Sequence, residues 1–464
     1  MNKKWVVEKE YYRIVKNKKW NGIILKGEDI LVLHQIYIHS SMRAPSIHEI
    51  YQMTYTEKER NSNWISNRLT KMVQSGLIER IKEKLSSRGQ MAGVVYYHYR
   101  LNKRGYDVLV WEGILLAEET ESLLVQSKQK NVVSIHNRSA SYLSNMIFVE
   151  LYNNDKLVDF SHVRGSRHDV LGISKNVIKT NVTGLIVPDW IFENDRHIVA
   201  IEVDTGSQRG DAILKKYRHY KKVAEVLGKT LIVVFAVADT SIMDLSIGKN
   251  VSGETRHKRI ASLKDLFPVQ NDWPYNLHIY VASANRVPRL VVKLLSIQVP
   301  VPIKEFEDSL DVSVWLDLMT ERLPENKEIL FERLDNVLPS NRNRRLDGES
   351  VFQLRQDSFT KERHLVLFGE EGSVRSYQYI RNNAQLAYQY NANPRQLVPL
   401  MVDVIFQDKE SAKEDIYGNN VYHSVYFRDL ASLKEELSNA EKSISILKLI
   451  SPFKKKEIKI IHKK

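Results

Sequence analysis

Cysteine is absent from all 464 residues. Disulfides, thiolate nucleophiles and cysteine-ligated zinc are excluded together, and the expected compartment is the cytoplasm. Long apolar runs are missing too. None approaches the ~18 residues of a membrane helix, and the longest, around Thr230–Ala238, is strand-length. The opening MNKKWVVEKEYYRIVKNKKW carries acids and aromatics where a secretory signal needs an apolar core, so neither export nor membrane insertion is expected. GxxxxGK[ST] and HExxH do not occur, which argues against a P-loop and a zinc hydrolase. No tandem repeat or low-complexity tract is visible. Acidic residues are in deficit, 56 Asp+Glu against 69 Lys+Arg, and the net charge of +13 hints at a polyanionic partner.

What is present suits a soluble multidomain α/β protein. The length predicts two or three domains, and a hydrophobic content of 43% rules out wholesale disorder. Charge is uneven: residues 1–115 carry about +9 and residues 131–250 about +2. A polar, weakly periodic linker is expected over 116–130, and Lys249–Lys258 (KNVSGETRHK) reads as a second. The expected domains are 1–115, 131–250 and 251–464.

In the first block, Ile30–His39 has helical spacing, and Pro45-Ser46 stops the chain and caps a helix over Ile47–Met53. A third helix is predicted from about Glu57 to Ser75, with Trp64, Ile65, Leu69, Met72 and Val73 on one face. Its other face offers Ser62, Asn63, Ser66, Asn67, Arg68 and Lys71. Gly76 supplies a left-handed cap, a strand begins at Leu77, and a basic loop (Lys82 to Gly89) leads to the strand Val94–Leu101. LTKMVQSGLIERI followed by YYHYRLNKRGYDVL resembles a winged helix-turn-helix. That resemblance implies a third helix in the major groove, read by Asn63, Ser66, Asn67, Arg68 and Lys71, with Lys84 and Arg88 of the wing on the phosphates. Such domains also serve as protein-docking modules.

The most informative stretch is VTGLIVPDWIFENDRHIVAIEVDTGSQRGDAILKKYRHYKKVAEVLGKTLIVVFAVAD. It reads as strand (Val182–Phe192), turn, strand (His197–Asp204), helix (Arg209–Leu227) and strand (Leu231–Ala238), the first two strands forming a hairpin. Asp189 falls on the first strand, and Glu202 and Asp204, two apart, share a face of the second. Apolar strands rarely carry inward acids without a partner, and carboxylates gathered on paired strands suit Mg²⁺ or Mn²⁺. Asp-Thr-Gly also makes a local turn readily, which gives Asp204 a purely structural reading. His162 and His168 in SHVRGSRHDV are candidates for a general base or third ligand.

Pro188-Asp189, Glu202-Val203-Asp204 and a basic helix resemble the PD-(D/E)xK nuclease core. The resemblance implies Asp189, Glu202 and the Val203 carbonyl as metal ligands and Glu150 as the upstream acid. Asp204 stands where that family has lysine, and Lys215 or Lys216 of the following helix would substitute. Lys216 is the better match, since its spacing to Tyr220 resembles the family's lysine-to-tyrosine spacing. The order of winged helix, linker, helix from His136 and PDW…IEVDTGS…LKKYRHY resembles, over about residues 26–240, the replication-relaxation family of mobile elements and its MOB-C conjugative relaxases.

In the C-terminal third, Leu277–Ala282, Leu290–Val299 and Leu400–Phe406 read as strands, and Ile303–Leu334, Val374–Tyr390 and Leu430–Leu449 as helices. A lysine-rich tail follows. Tyr377, Tyr379, Tyr388 and Tyr390 beside Arg375 and Arg381 suit either packing or stacking on single-stranded DNA. The resemblance implies a relaxase that nicks one strand at an origin of transfer or replication. Its partners would be duplex DNA, the single-stranded product and a conjugative coupling ATPase. The alternatives are a catalytically inactive winged-helix regulator of replication or transcription, and a repair or restriction nuclease.

Overall fold

A computed structural model describes residues 11–14, 16–17, 19–54, 61–82, 97–118, 120, 135–154, 161–164, 187–206, 208–238, 253–268, 273–296, 327–333, 350–356, 359–406, 425–429, 448–451 and 456–459. The chain separates into two compact units, one drawn from residues 1–205, 238–251 and 284–296, the other from 206–237, 252–283 and 297–464.

The first unit opens with the antiparallel pair β1 (Tyr11–Ile14) and β2 (Ile23–Lys26). Helix α1 (Gly27–His39) follows, its first-turn Asp29 accepting from the Lys26 amide at 2.8 Å. After the short β3 (Met42–Arg43), α2 spans Ala44–Thr54. It starts before Pro45-Ser46, because a proline in the first helical turn gives up an N–H that has no helical partner there. Helix α3 (Ser62–Gln74) begins where the Asn61 side chain accepts from the Trp64 amide at 2.8 Å; Glu57–Arg60 lie outside the described residues. It ends at Gly76, whose φ is +70°. A Cβ there would also lie 2.5 Å from the Trp20 ring, so glycine is required twice over.

Strands β4 (Ile78–Lys82) and β5 (Tyr97–Leu101) pair antiparallel in a sheet of order β3-β5-β4, with an ion pair between the facing Glu79 and Arg100. Helix α4 (Lys103–Trp111) is capped by Asn102. The long α5 (Ile135–Asn153) sends Phe148 into the apolar cluster holding Leu33, Ile47, Leu69 and Leu101. Each such fully buried side chain contributes about 1.5–3 kcal/mol.

Next come β6 (Ser161–Arg164), β7 (Trp190–Glu193) and β8 (His197–Asp204), joined as antiparallel neighbours. The hairpin turn is held by the Asn194 side chain, which accepts from the Arg196 and His197 amides. Asp189, expected on the first strand, instead occupies the bend before β7, because Pro188 has no N–H to donate to a ladder. Val182–Leu185 lie outside the described residues. Residues 290–296, expected as a strand, belong to a helix, Val287–Ser296. Val287, Leu290, Val291, Leu294 and Leu295 are buried at three- and four-residue spacings, so helical periodicity overrides the strand preference of the run.

In the second unit, α6 (Gly210–Val226) buries Ile213, Tyr217, Tyr220, Val223 and Ala224 along one stripe. The Asn276 amide donates to the carbonyls of Ala224, Leu227 and Lys229 at its end. Strands β9 (Thr230–Val237) and β10 (Leu277–Ser283) pair parallel, with α7 (Gly253–Leu266) between them in the chain. The second expected linker is thus helical from Gly253 onward.

A second sheet runs β11 (Lys327–Arg333), β12 (Ser350–Gln356), β13 (Phe359–Gly369), β14 (Leu400–Phe406) and β15 (Val425–Asp429), antiparallel through β13 and parallel beyond. Residues 327–333, expected in a helix, are extended because they pair residue for residue with β12. Helix α8 (Val374–Asn391) crosses from β13 to β14 and buries Tyr377, Ile380, Ala384 and Ala387. Lys448–Ser451 (β16) and Lys456–Lys459 (β17) pair antiparallel, so part of the expected helix end and lysine tail forms a hairpin.

One repetition escapes a reading by sequence similarity. The connection from β8 to α6 runs Asp204-Thr205-Gly206-Ser207-Gln208-Arg209, and that from β13 to α8 runs Glu370-Glu371-Gly372-Ser373-Val374-Arg375. Gly206 and Gly372 both have positive φ, +80° and +72°. In each case an acid ends or follows the strand, and a glycine turns the chain into a long helix.

Candidate functional site

The acids cluster where β7 and β8 begin their pairing. The Asp189 N–H donates to the Ile201 carbonyl at 3.0 Å, fixing the bend against β8. Its Oδ2 accepts from the Val203 amide at 2.8 Å, and its Oδ1 accepts from His136 Nε2 at 2.8 Å. The carboxylate is thereby aimed along the strand that carries Glu202. All eight residues of β8 are buried, Glu202 and Asp204 each only 2% exposed. Charged groups this deep persist only with partners, and both acids have them. The Asp204 carbonyl accepts from the Ala238 amide at 2.9 Å.

Asp189, Glu202 and Val203 are therefore neighbours, joined through the Asp189–Val203 hydrogen bond. Glu150 does not join them. His136, in the first turn of α5, is the residue that meets Asp189, and Glu150 lies fourteen positions on, roughly 21 Å along the helix axis at 1.5 Å per residue. The described residue that contacts the Asp189 carboxylate from this helix is His136 and not the expected Glu150, and sequence spacing did not single it out. Among the described residues, no three His, Asp or Glu side chains converge as a metal-holding group. Lys216, on α6 of the second unit, is half-buried beside the stripe of Tyr217 and Tyr220, whereas Lys215 is exposed. His162 stands on β6, and His168 lies outside the described residues.

On α3, Asn63, Ser66, Asn67 and Lys71 are exposed. Arg68, expected on the same open face, is turned inward. Its Nε donates to Asp29 Oδ1 at 2.9 Å, and its second terminal nitrogen pairs with Asp29 Oδ2 and with the Ile24 carbonyl. Tyr51 Oη also donates to Asp29, at 2.7 Å. Asp29 is 1% exposed, so its charge draws the nearest guanidinium out of the polar face. Burial and the adjoining Asp29 push the Tyr51 phenol well above its ordinary pKa, keeping it a donor. Lys84 and Arg88 lie outside the described residues.

Of the tyrosines on α8, Tyr377 and Tyr390 are buried, their hydroxyls paired with Asp265 and Arg363. Packing decides their role; Tyr379 is half-buried and Tyr388 is 55% exposed. No described helix is long and apolar enough to cross a membrane. Over residues 33–230 the sequence matches the family model described as replication-relaxation. No curated protein and no solved structure matches the chain.

Proposed function

The chain belongs, through residues 33–230, to the replication-relaxation family, and from that membership we propose that it is the relaxase of a plasmid or integrative element. In this reading it is a site-specific, metal-dependent endonuclease that nicks one strand at an origin of transfer or replication. Family membership by itself points to a role in DNA replication or mobility. The observation that carries the finer reading is the buried Glu202 on β8, with Asp189 tied to the next residue's amide.

An all-oxygen donor set fits Mg²⁺ or Mn²⁺, which take one or two carboxylates and retain waters. Asp189, Glu202 and the Val203 carbonyl would hold the ion. When bound, it supplies an activated water and neutralises charge developing on the phosphodiester. His136 orients the Asp189 carboxylate through Oδ1, and the Val203 amide fixes Oδ2. In a winged-helix reading of residues 1–115, the exposed Asn63, Ser66, Asn67 and Lys71 of α3 face the major groove, with Lys84 and Arg88 on the phosphates. By the nuclease family's motif, Lys216 on the helix after β8, and not Asp204, is the residue that matches the family's lysine. The partners are origin duplex, the single-stranded product and a conjugative coupling ATPase.

A second reading is a catalytically inactive regulator, favoured by Asp204 standing where the nuclease family carries lysine. One gel separates them. Supercoiled plasmid carrying the element's own origin, incubated with the protein and Mg²⁺ or Mn²⁺, should give open-circle product. Protein that binds this plasmid yet leaves it supercoiled in both metals would favour the regulator.

A further inference from the structure

We propose that α5 holds the DNA-reading surface of residues 1–115 at a set distance from the acid site, so that scission falls at one fixed offset from the recognised sequence, with Asn145 and His39 as positioning residues. The cut itself rests on the nuclease reading; the geometry lies within the first unit. A winged helix joined to a nuclease core by a polar linker should swing, because interfaces between domains are small and polar by default. The contacts here are buried and largely apolar.

Helix α5 carries two buried faces. Ala140, Leu143, Ile147 and Leu151 are buried and continue, at three- and four-residue spacings, from His136, whose Nε2 meets Asp189 Oδ1 at 2.8 Å. On the other face Phe148 enters the apolar cluster of the N-terminal block, and the buried Asn145 amide donates to Glu49 of α2 at 3.2 Å. His136 and Asn145 stand roughly 14 Å apart along the helix axis. A second contact is independent of α5. His39, the last residue of α1, is 1% exposed, and its ring lies 4.5 Å from that of Trp190, the residue after Asp189. The Gln35 carbonyl accepts from His39 Nδ1 at 2.9 Å, which fixes the ring to its own helix. Asp189 is thus tied to the N-terminal block by two routes, through His136 and α5 and through Trp190 and His39. Swinging would pull close-packed side chains and a buried amide from their partners. A flexible tether of about fifteen residues, the length of the expected linker, would instead let the two parts wander by roughly 20 Å, or about six base pairs.

The lack of native cysteine allows one to be placed beside the acids. Val187→Cys, at a position 44% exposed and just before Pro188-Asp189, carries an iron–EDTA group on the full chain bound to origin duplex. Its hydroxyl-radical cuts report where the acid site lies, independently of native nicking. One compact cluster of cuts is expected at a fixed offset from the protected sequence, narrower than the about six base pairs that a tether would sweep. In the same background, Asn145→Ala, alone and with His39→Ala, should spread the cluster while duplex affinity and the circular dichroism spectrum stay unchanged. A merely structural role for these residues would lower stability and leave the cluster sharp. Diffuse cuts from the parent protein, no cuts on bound duplex, or an equally compact cluster from the folded variants overturns the proposal. A compact cluster from protein that never converts origin plasmid to open circle with Mg²⁺ or Mn²⁺ refutes the nuclease reading instead and leaves the fixed spacing standing.

Discussion

Replacing Asp29 with alanine should be among the most damaging single changes in the first unit. Asp29 accepts from the Lys26 amide, from Tyr51 Oη and from Arg68, and is 1% exposed. Its removal strands a guanidinium only 16% exposed and a phenol fully buried between α2 and α3. Breaking a buried pair by deleting one partner costs about 3–5 kcal/mol, because the other charge stays desolvated. For a region of about 100 residues, each kcal/mol shifts the melting midpoint by about 4–8 °C, so a fall of more than about 12 °C is expected. Trp64, packed edge-on to Tyr51 at 5.5 Å, gives a local fluorescence readout. Asp29→Leu with Arg68→Met should recover much of the loss, since no unpaired charge remains. A cost below about 1 kcal/mol, or a double variant as unstable as Asp29→Ala alone, would refute the reasoning.

Lys71→Ala should lower duplex affinity and reduce the salt slope by about 0.9, whereas Arg68→Ala should alter stability and leave the slope unchanged; filter binding across a salt series distinguishes them. Burial lifts the Glu49 carboxyl above its ordinary value, so its ionised form costs stability as pH rises from that value through the raised one. Glu49→Gln, which can keep the Asn145 contact, should therefore stabilise at neutral pH and make no difference in acid; urea melts with no gain at pH 7 would contradict this. Lys216→Ala should slow nicking by about 10²-fold or more, with metal binding retained, and Lys215→Ala far less, as read by open-circle formation.

Most of this architecture is local in origin, which is why it can be read from the chain. The stripe Ile65–Leu69–Met72 and Gly76 define α3 and its end, and the alternation of polar turn and apolar run defines β7 through β9. Errors arise where partners distant in sequence decide the outcome. Residues 327–333 are compatible with a helix until β12 pairs with them. Residues 290–296 are rich in strand formers, yet their buried positions follow helical spacing. The inward turn of Arg68 depends on Asp29, thirty-nine residues earlier, and the contact of His136 with Asp189 spans fifty-three. The repeated acid–x–Gly–Ser–x–Arg connection is visible only once Gly206 and Gly372 prove to share a positive φ.

The central claim is that Asp189 and Glu202 hold a divalent ion for strand scission, and calorimetry with Mn²⁺ on wild type, Asp189→Ala and Glu202→Gln tests it directly. Saturable Mn²⁺ binding is expected in wild type and is lost in both variants, with duplex affinity nearly unchanged. Mn²⁺ binding that survives both substitutions, or that is absent from folded, DNA-binding wild type, would contradict it.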